Sequence, residues 1–246
     1  MTRTMTCHCQ AVIAAEDTES LIAPAKAHYD EEHPEYELTL TDMRNYLESE
    51  DRSTGPTERL ESIGEVEVLP MGPDSAMDAI EFFDTDAFPD YPQWGACYCM
   101  FFPRGGRANE NWGQEPWREN REDQLHRIRD GKTTGMLAYS GGKVVGWCNA
   151  SPRAEFPGLA TGNDEEIVSV VCFVIAPPYR GHGVATRLLE GVVSNFTNRG
   201  FRRLEAYPVR ETGDQRKAFH GTLELFSRFG FEVESEVPLV VGLELG

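Results

Sequence analysis

The stretch VCFVIAPPYRGHGVATRLLEGVV, residues 171–193, narrows most strongly what this chain can fold into. Its apolar start predicts a buried strand, two prolines end that strand, and a glycine turn leads into a helix. The helix carries one apolar stripe, formed by Val184, Leu188, Leu189, Val192 and Phe196, so it packs against a sheet. Its first-turn N–H groups lack helical partners. Because Gly181, Gly183 and Ala185 keep this turn small, we expect an anion site that suits a pyrophosphate.

Strands and helices alternate along the rest of the chain, which predicts the α/β class with a mixed sheet of α+β type. A hairpin is expected around the turn Ser140-Gly141-Gly142. Further strands are predicted at 65–70, 166–176, 202–208, 231–236 and 238–245. Further helices are predicted at 75–83, 117–131 and 216–229.

The N-terminal part follows a different pattern and is predicted to be a separate unit, residues 1–63, before a main domain at residues 64–246. We expect a strand at 5–14 and a helix at 18–32 that ends before Pro34. A second helix is expected at 41–50, with Thr41 as its N-cap. The stretch DRSTGPTERLESIGE predicts a turn, a short helical piece and a linker.

The turn motif Arg180-x-x-Gly183-x-Ala185 resembles the Q/R-x-x-G-x-G/A signature of the GNAT family of N-acetyltransferases. It fits neither the dinucleotide fingerprint nor the phosphate loop with Gly-Lys-Ser/Thr. The resemblance extends from about Glu65 to Leu245 and includes LELFSRFGFE, which looks like the family's penultimate helix and Gly-Phe exit. It therefore implies the GNAT acyl-CoA acyltransferase fold.

This resemblance also implies a cosubstrate, acetyl-CoA, and a place for it. The backbone N–H groups from Gly181 through His182, Gly183 and Val184 to Ala185 are expected to hold the pyrophosphate of coenzyme A. The strand edge formed by Val174, Ile175 and Ala176 is expected to pair with the pantetheine arm. Arg180 is expected to position the loop or to meet a phosphate, and His182 to be solvent-exposed. Transfer to an amine would be direct, in a ternary complex.

The usual acid and base of the family have no counterpart in this sequence. Phe226 stands where many members have a tyrosine that protonates the leaving thiolate, and Ser169 where some have a glutamate base. His220 is a candidate replacement, because imidazole chemistry suits either role, or it is a surface or capping residue. Glu205 is a candidate base acting through water, or the structural partner of an arginine. Tyr207 and Cys148 are weaker candidates.

The N-terminal unit has the composition of a metal site, with Cys7-x-Cys9 and His28-x4-His33. It resembles small uncharacterised domains with paired cysteines and such a helix end. Alternate residues of a strand face one side, so both thiolates could reach a zinc ion that two histidines complete. Positions i and i+5 share no helix face, so the helix must loosen before Pro34. The other interpretation is a buried cysteine pair with surface histidines.

Net charge and apolar content indicate which partners and which cellular location to expect. The formal net charge is −18, and only four residues are lysine against nineteen arginines. Such a surface repels nucleic acid and anionic membranes, so we expect neither as a partner. It would attract a cationic amine, but it is also typical of proteins from salt-loving organisms, and we favour that interpretation. Without an apolar leader or a run of about 20 apolar residues, a cytoplasmic protein is expected.

Two functions are compatible with these features. The first is an acetyltransferase that acts on the amine of a small molecule or peptide; the second is a non-catalytic acyl-CoA sensor with an N-terminal interaction module. The irregular segment Pro89–Pro116, rich in aromatic residues, occupies the place where the family builds its acceptor pocket. Family members often dimerise through their last strands, so the resemblance also allows a homodimer.

Overall fold

The computed structural model describes residues 2–106, 109, 116–159, 166–210 and 218–246. Its strands are β1 (Arg3–Thr6), β2 (Val12–Ala15), β3 (Glu67–Pro70), β4 (Gly135–Ser140), β5 (Lys143–Pro152), β6 (Ile167–Ile175), β7 (Arg203–Ala206), β8 (Glu232–Glu236) and β9 (Leu239–Glu244). Its helices are α1 (Thr18–Glu32), α2 (Leu40–Arg52), α3 (Ala76–Thr85), α4 (Trp117–Arg129), α5 (Val184–Asn198) and α6 (Leu223–Ser227). None of the described helices is long and apolar enough to cross a membrane.

Seven strands form one mixed sheet in the order β3-β4-β5-β6-β7-β9-β8, which confirms the predicted fold class. Neighbouring strands are antiparallel except β6 and β7, which pair in parallel over Ile167–Val170 and Arg203–Ala206. Beyond this point β6 continues to Ile175 and stays paired with β5 on its other side. The two parallel strands therefore splay apart after Val170 and Ala206.

Helices cover both faces of the sheet. On one face α5 buries its apolar stripe as predicted, with Val184, Leu188, Leu189, Val192 and Phe196 at most 2% exposed. On the other face α3 and α4 pack around Trp147, which is completely buried. Each large apolar side chain buried in this way contributes about 1.5–3 kcal/mol.

The hairpin β1–β2 and helices α1 and α2 share a small apolar cluster of their own, formed by Met5, Leu21, Ile22, Ala25, Met43 and Leu47. Helix α2 links this cluster to the rest of the chain. The N–H of Trp117 donates to Asn45 Oδ1 at 3.0 Å, and the indole N–H of Trp117 donates to Glu48. Arg52 donates to the hydroxyl of Tyr98 at 2.5 Å. The domain boundary at residue 63 stays a prediction.

Two predictions about the N-terminal elements are wrong. The single strand at 5–14 is a hairpin, because the Gln10 N–H donates to the Cys7 carbonyl at 2.8 Å and closes a turn there. Helix α2 is capped by Thr39, not Thr41. A capping box causes this shift: the Asp42 N–H donates to the Thr39 hydroxyl at 3.1 Å, and the Thr39 N–H donates to the Asp42 carboxylate at 2.7 Å.

Two further segments differ from expectation. Residues 53–66 contain no helical piece, because their amides bond to distant elements: Gly55 to the carbonyl of Thr85 and Leu60 to that of Pro178, both at 3.0 Å. Within the described part of 216–229, the helix covers only Leu223–Ser227. Residues 216–217 lie outside the described residues.

Candidate active site

The turn between β6 and α5 allows close approach to its backbone. Gly181 and Gly183 both have φ of 76°, in the left-handed region that other residues rarely adopt. Gly183 is the N-cap of α5, and a Cβ added to it would meet nothing within 4 Å. The space in front of the helix N-terminus is therefore open, and the first-turn N–H groups of Val184 and Ala185 face it.

This space is part of a cleft of about 260 Å³ that lies over the splay of β6 and β7. Its lining includes Phe173, Val174, Ile175, Gly181, Gly183, Val184 and Ala185. The Ala176 N–H donates to the Val145 carbonyl at 3.0 Å, whereas the Phe173 N–H donates to the Phe219 carbonyl at 2.5 Å. Peptide groups alternate along a strand, so Ile175 directs its N–H towards the splay and Ala176 does not.

Arg180 holds the turn between β6 and α5 in place through its guanidinium contacts. Its guanidinium donates to the Ile175 carbonyl at 2.9 Å and to both carboxylate oxygens of Asp90 at 2.6 and 3.2 Å. These contacts are those expected of a residue that positions the loop, and a phosphate contact by Arg180 stays a prediction. His182 is partly rather than fully exposed, and its Nε2 lies 2.9 Å from the carbonyl oxygen of Leu60.

Arg59, which the sequence pattern does not single out, lies beside the glycine loop. Its guanidinium donates to the Gly181 carbonyl at 3.4 Å, and its side chain is exposed. The surrounding segment docks on the same loop through Leu60, whose N–H donates to Pro178. A basic side chain at an open helix N-terminus adds positive charge where an anion would bind. No local signal in the sequence places Arg59 there.

A second cavity of about 250 Å³ lies next to the cleft and shares Phe88, Val174 and Phe219 with it. Its other lining residues are Phe83, Trp94, Cys97, Cys99, Phe101, Phe102, Val171, Cys172 and His220. His220 Nδ1 lies 2.8 Å from the Val171 carbonyl oxygen. A carbonyl can only accept, so Nδ1 carries the hydrogen and Nε2 is the ring atom that can take up a proton. Trp112 of the predicted aromatic segment lies outside the described residues.

Glu205 lies at the start of the splay in a buried polar network. Its carboxylate accepts from Arg153 at 2.8 Å and from the hydroxyl of Tyr207, and both members of the ion pair are about 90% buried. The Tyr207 hydroxyl lies 3.1 Å from that of Ser169, which is completely buried. Desolvation and the bond to Glu205 raise the pKa of Tyr207. Glu205 therefore forms the expected ion pair with an arginine, and its role as a base stays a prediction.

Phe226 and Cys148 both lie in the protein interior. Phe226 is completely buried against Phe173 and Phe231. Cys148 is also completely buried, and desolvation raises the pKa of its thiol well above the ordinary value. A thiol in this state does not serve as a base near neutral pH.

The four N-terminal metal-ligand candidates come together. One ligand atom each from Cys7, Cys9, His28 and His33 lies within 4.8 Å of all the others. The cysteines occupy the hairpin turn rather than alternate positions of a strand. Burial would raise the pKa of the Cys7 thiol, yet hydrogen bonds from the Cys9 backbone and from His28 outweigh it and lower this pKa to about 6.

Comparison with known proteins gives one family match, to the acetyltransferase (GNAT) family over residues 87–231. No curated protein matches the chain. Among solved structures, an N-acetyltransferase from Staphylococcus aureus Mu50 is 11% identical, with a TM-score of 0.46, covering 74% of this chain and 100% of its own. The GNAT domain of S. lividans PAT is 17% identical, with a TM-score of 0.48, covering 74% and 92%. The PaiA N-acetyltransferase from Thermoplasma acidophilum, solved with coenzyme A, is 12% identical, with a TM-score of 0.45, covering 74% and 99%.

Proposed function

Since the chain belongs to the acetyltransferase (GNAT) family, we propose that it transfers an acetyl group from acetyl-CoA directly to an amine in a ternary complex. The observation that carries this proposal is the open N-terminus of α5. The left-handed φ of 76° already favours glycine at position 183. A Cβ there would meet nothing within 4 Å, so the turn also leaves open space in which a ligand can approach the backbone closely.

Coenzyme binding would use the backbone of the turn. The N–H groups from Gly181 to Ala185 would donate to a pyrophosphate at the positive end of the helix dipole. Arg180 holds the turn against β6 and Asp90, and Arg59 adds a cation at its edge. Bound acetyl-CoA would supply an activated acetyl group as a thioester. The Ile175 N–H, which faces the splay, is the candidate donor to the pantetheine arm or the thioester oxygen.

The chain's part in the reaction is to orient both substrates and to move protons. A cationic amine first releases one proton to solvent; the neutral nitrogen then attacks the thioester carbonyl carbon, a C–N bond forms, the C–S bond breaks, and the thiolate leaves. The attacking nitrogen then loses a second proton, and we propose His220 Nε2 as its acceptor, since Nδ1 is the ring nitrogen bonded to the Val171 carbonyl. The same proton can return to the leaving sulfur. Holding the substrates together supplies much of the remaining acceleration.

The second cavity indicates the class of acceptor. Aromatic and sulfur-containing side chains form most of its lining, to which His220 also belongs. We infer an acceptor whose amine is carried on a flat or branched apolar group that fits a cavity of about 250 Å³. The net charge of −18 favours approach of a cationic amine from solution.

A coenzyme A release assay tests for acetyl transfer and distinguishes a transferase from a non-catalytic acyl-CoA sensor. Purified protein in high salt would receive acetyl-CoA with phenethylamine, tryptamine, spermidine or a dipeptide beginning with phenylalanine. We expect amine-dependent release with the aromatic amines, weaker release with spermidine, and none in Gly183→Trp, which fills the space before α5. Tight acetyl-CoA binding without release across the panel would favour the sensor. Absence of acetyl-CoA binding would refute the interpretation of the glycine turn.

A further inference from the structure

The hairpin turn after β1 and the end of α1 bring two thiols and two imidazoles together. Cys7 Sγ lies 3.3 Å from His33 Nε2, and Cys9 Sγ lies 3.4 Å from His28 Nε2. All four ligand atoms lie within 4.8 Å of one another. We propose that Cys7, Cys9, His28 and His33 bind one zinc ion in a closed tetrahedral site that stabilises the N-terminal unit.

The backbone explains how four ligands converge. The Cys7 N–H donates to the Ala11 carbonyl at 2.9 Å, and Gln10 has φ of 72°, so the chain reverses tightly around the two cysteines. Helix α1 ends at Glu32, and His33 is its C-cap with φ of −141° and ψ of 49°. His33 therefore leaves the helical path, which allows its ring to meet that of His28 although a regular helix would separate positions i and i+5.

The ligand set and spacing fit zinc. Two sulfur and two nitrogen ligands in a tetrahedron are typical of structural zinc sites, with Zn–S near 2.3 Å and Zn–N near 2.0–2.1 Å. These bond lengths place sulfur and nitrogen ligands about 3.6 Å apart, close to the two distances observed between cysteine and histidine atoms. Four protein ligands leave no position for a substrate, so the site would be structural.

The small size of the N-terminal unit is a reason to expect a stabilising metal site. Its apolar cluster contains only six buried residues, and the hairpin has two strands of four residues each. An isolated two-stranded hairpin is marginally stable in water, and small units of this kind commonly depend on a metal or a disulfide. The ion would fasten the β1–β2 turn to the end of α1, against which α2 packs.

Metal analysis of the full chain tests the proposal. We expect one zinc per chain after purification without chelator, and loss of most of it in His28→Asn and in Cys9→Ser, which changes an exposed ligand. His126→Asn replaces an exposed histidine on α4 and should keep stoichiometric zinc. Chelation of the wild type should lower its unfolding temperature and leave that of Cys9→Ser unchanged.

Cobalt titration of the metal-free wild type gives a second readout that does not depend on how the variants fold. We expect saturation at one equivalent, with the visible bands of tetrahedral cobalt and the near-ultraviolet bands of thiolate ligation. Zinc should displace the cobalt. A wild type that neither contains nor binds zinc or cobalt overturns the proposal, as does zinc that both ligand variants retain. Iron as the stoichiometric metal overturns the assignment to zinc. None of these results depends on acetyl transfer.

Discussion

Gly183→Ala tests two reasons for the glycine before α5: its left-handed backbone and the space it leaves for the coenzyme pyrophosphate. The substitution costs about 1–2 kcal/mol, because an L-residue is forced into the left-handed region, but its methyl group meets no protein atom within 4 Å. Gly200, just after the other end of α5, is a matched control. It has φ of 80°, and a Cβ there also meets nothing within 4 Å. Both variants should therefore unfold about 2–8 °C below the wild type.

Acetyl-CoA affinity should distinguish the pair. In Gly183→Ala the methyl group occupies the space in which the pyrophosphate meets the turn. Loss of one hydrogen bond to a charged group is worth about 1.5–3 kcal/mol, so Kd should rise about 10- to 150-fold. Isothermal titration calorimetry on wild type and both variants measures this change, and Gly200→Ala should bind like the wild type. Equal affinities in the two variants would refute the reasoning.

Three further substitutions test other parts of the site. His220→Gln can still donate to Val171 but takes up no proton, so kcat should fall about 100-fold or more with unchanged acetyl-CoA affinity; an unchanged kcat in steady-state assays would exclude His220. Arg153→Met leaves Glu205 buried without its cation and should lower the free energy of unfolding, measured by urea denaturation, by about 3 kcal/mol. If the double variant with Glu205→Gln recovers none of the lost stability, the ion pair is not the cause. Arg59→Gln should weaken acetyl-CoA binding about fivefold at low salt and less at high salt; a salt-independent effect would argue against a phosphate contact.

The elements predicted most accurately are those with strong local signals. The stripe of α5 from Val184 to Phe196, and the turn Ser140-Gly141-Gly142, depend on periodicity and turn chemistry that neighbouring residues determine. Helix α2 shows where local signals compete. Thr39 and Thr41 both suit an N-cap, and Asp42, three residues after Thr39, decides between them through a reciprocal bond.

The sequence predicts those parts of the site that lie within a single continuous segment. The glycine turn could be identified from residues 180–185, but the partners of its neighbours are distant in sequence. Arg180 pairs with Asp90, and Arg59 reaches Gly181 across 122 positions. These contacts depend on how the elements pack, so no periodicity or motif reveals them. The Cys/His cluster was predictable by composition, whereas the turn at Cys7 that brings its members together was not.

Transfer of isotopically labelled acetyl groups tests the central claim most directly. Wild-type protein in high salt would receive trideuteroacetyl-CoA and the aromatic amine that gave the fastest coenzyme A release, with mass spectrometry of the amine. We predict that the label appears on the amine nitrogen at the rate of coenzyme A release, and that Gly183→Trp transfers none. Release of coenzyme A without labelled amine, or label transferred equally well by Gly183→Trp, would contradict the account.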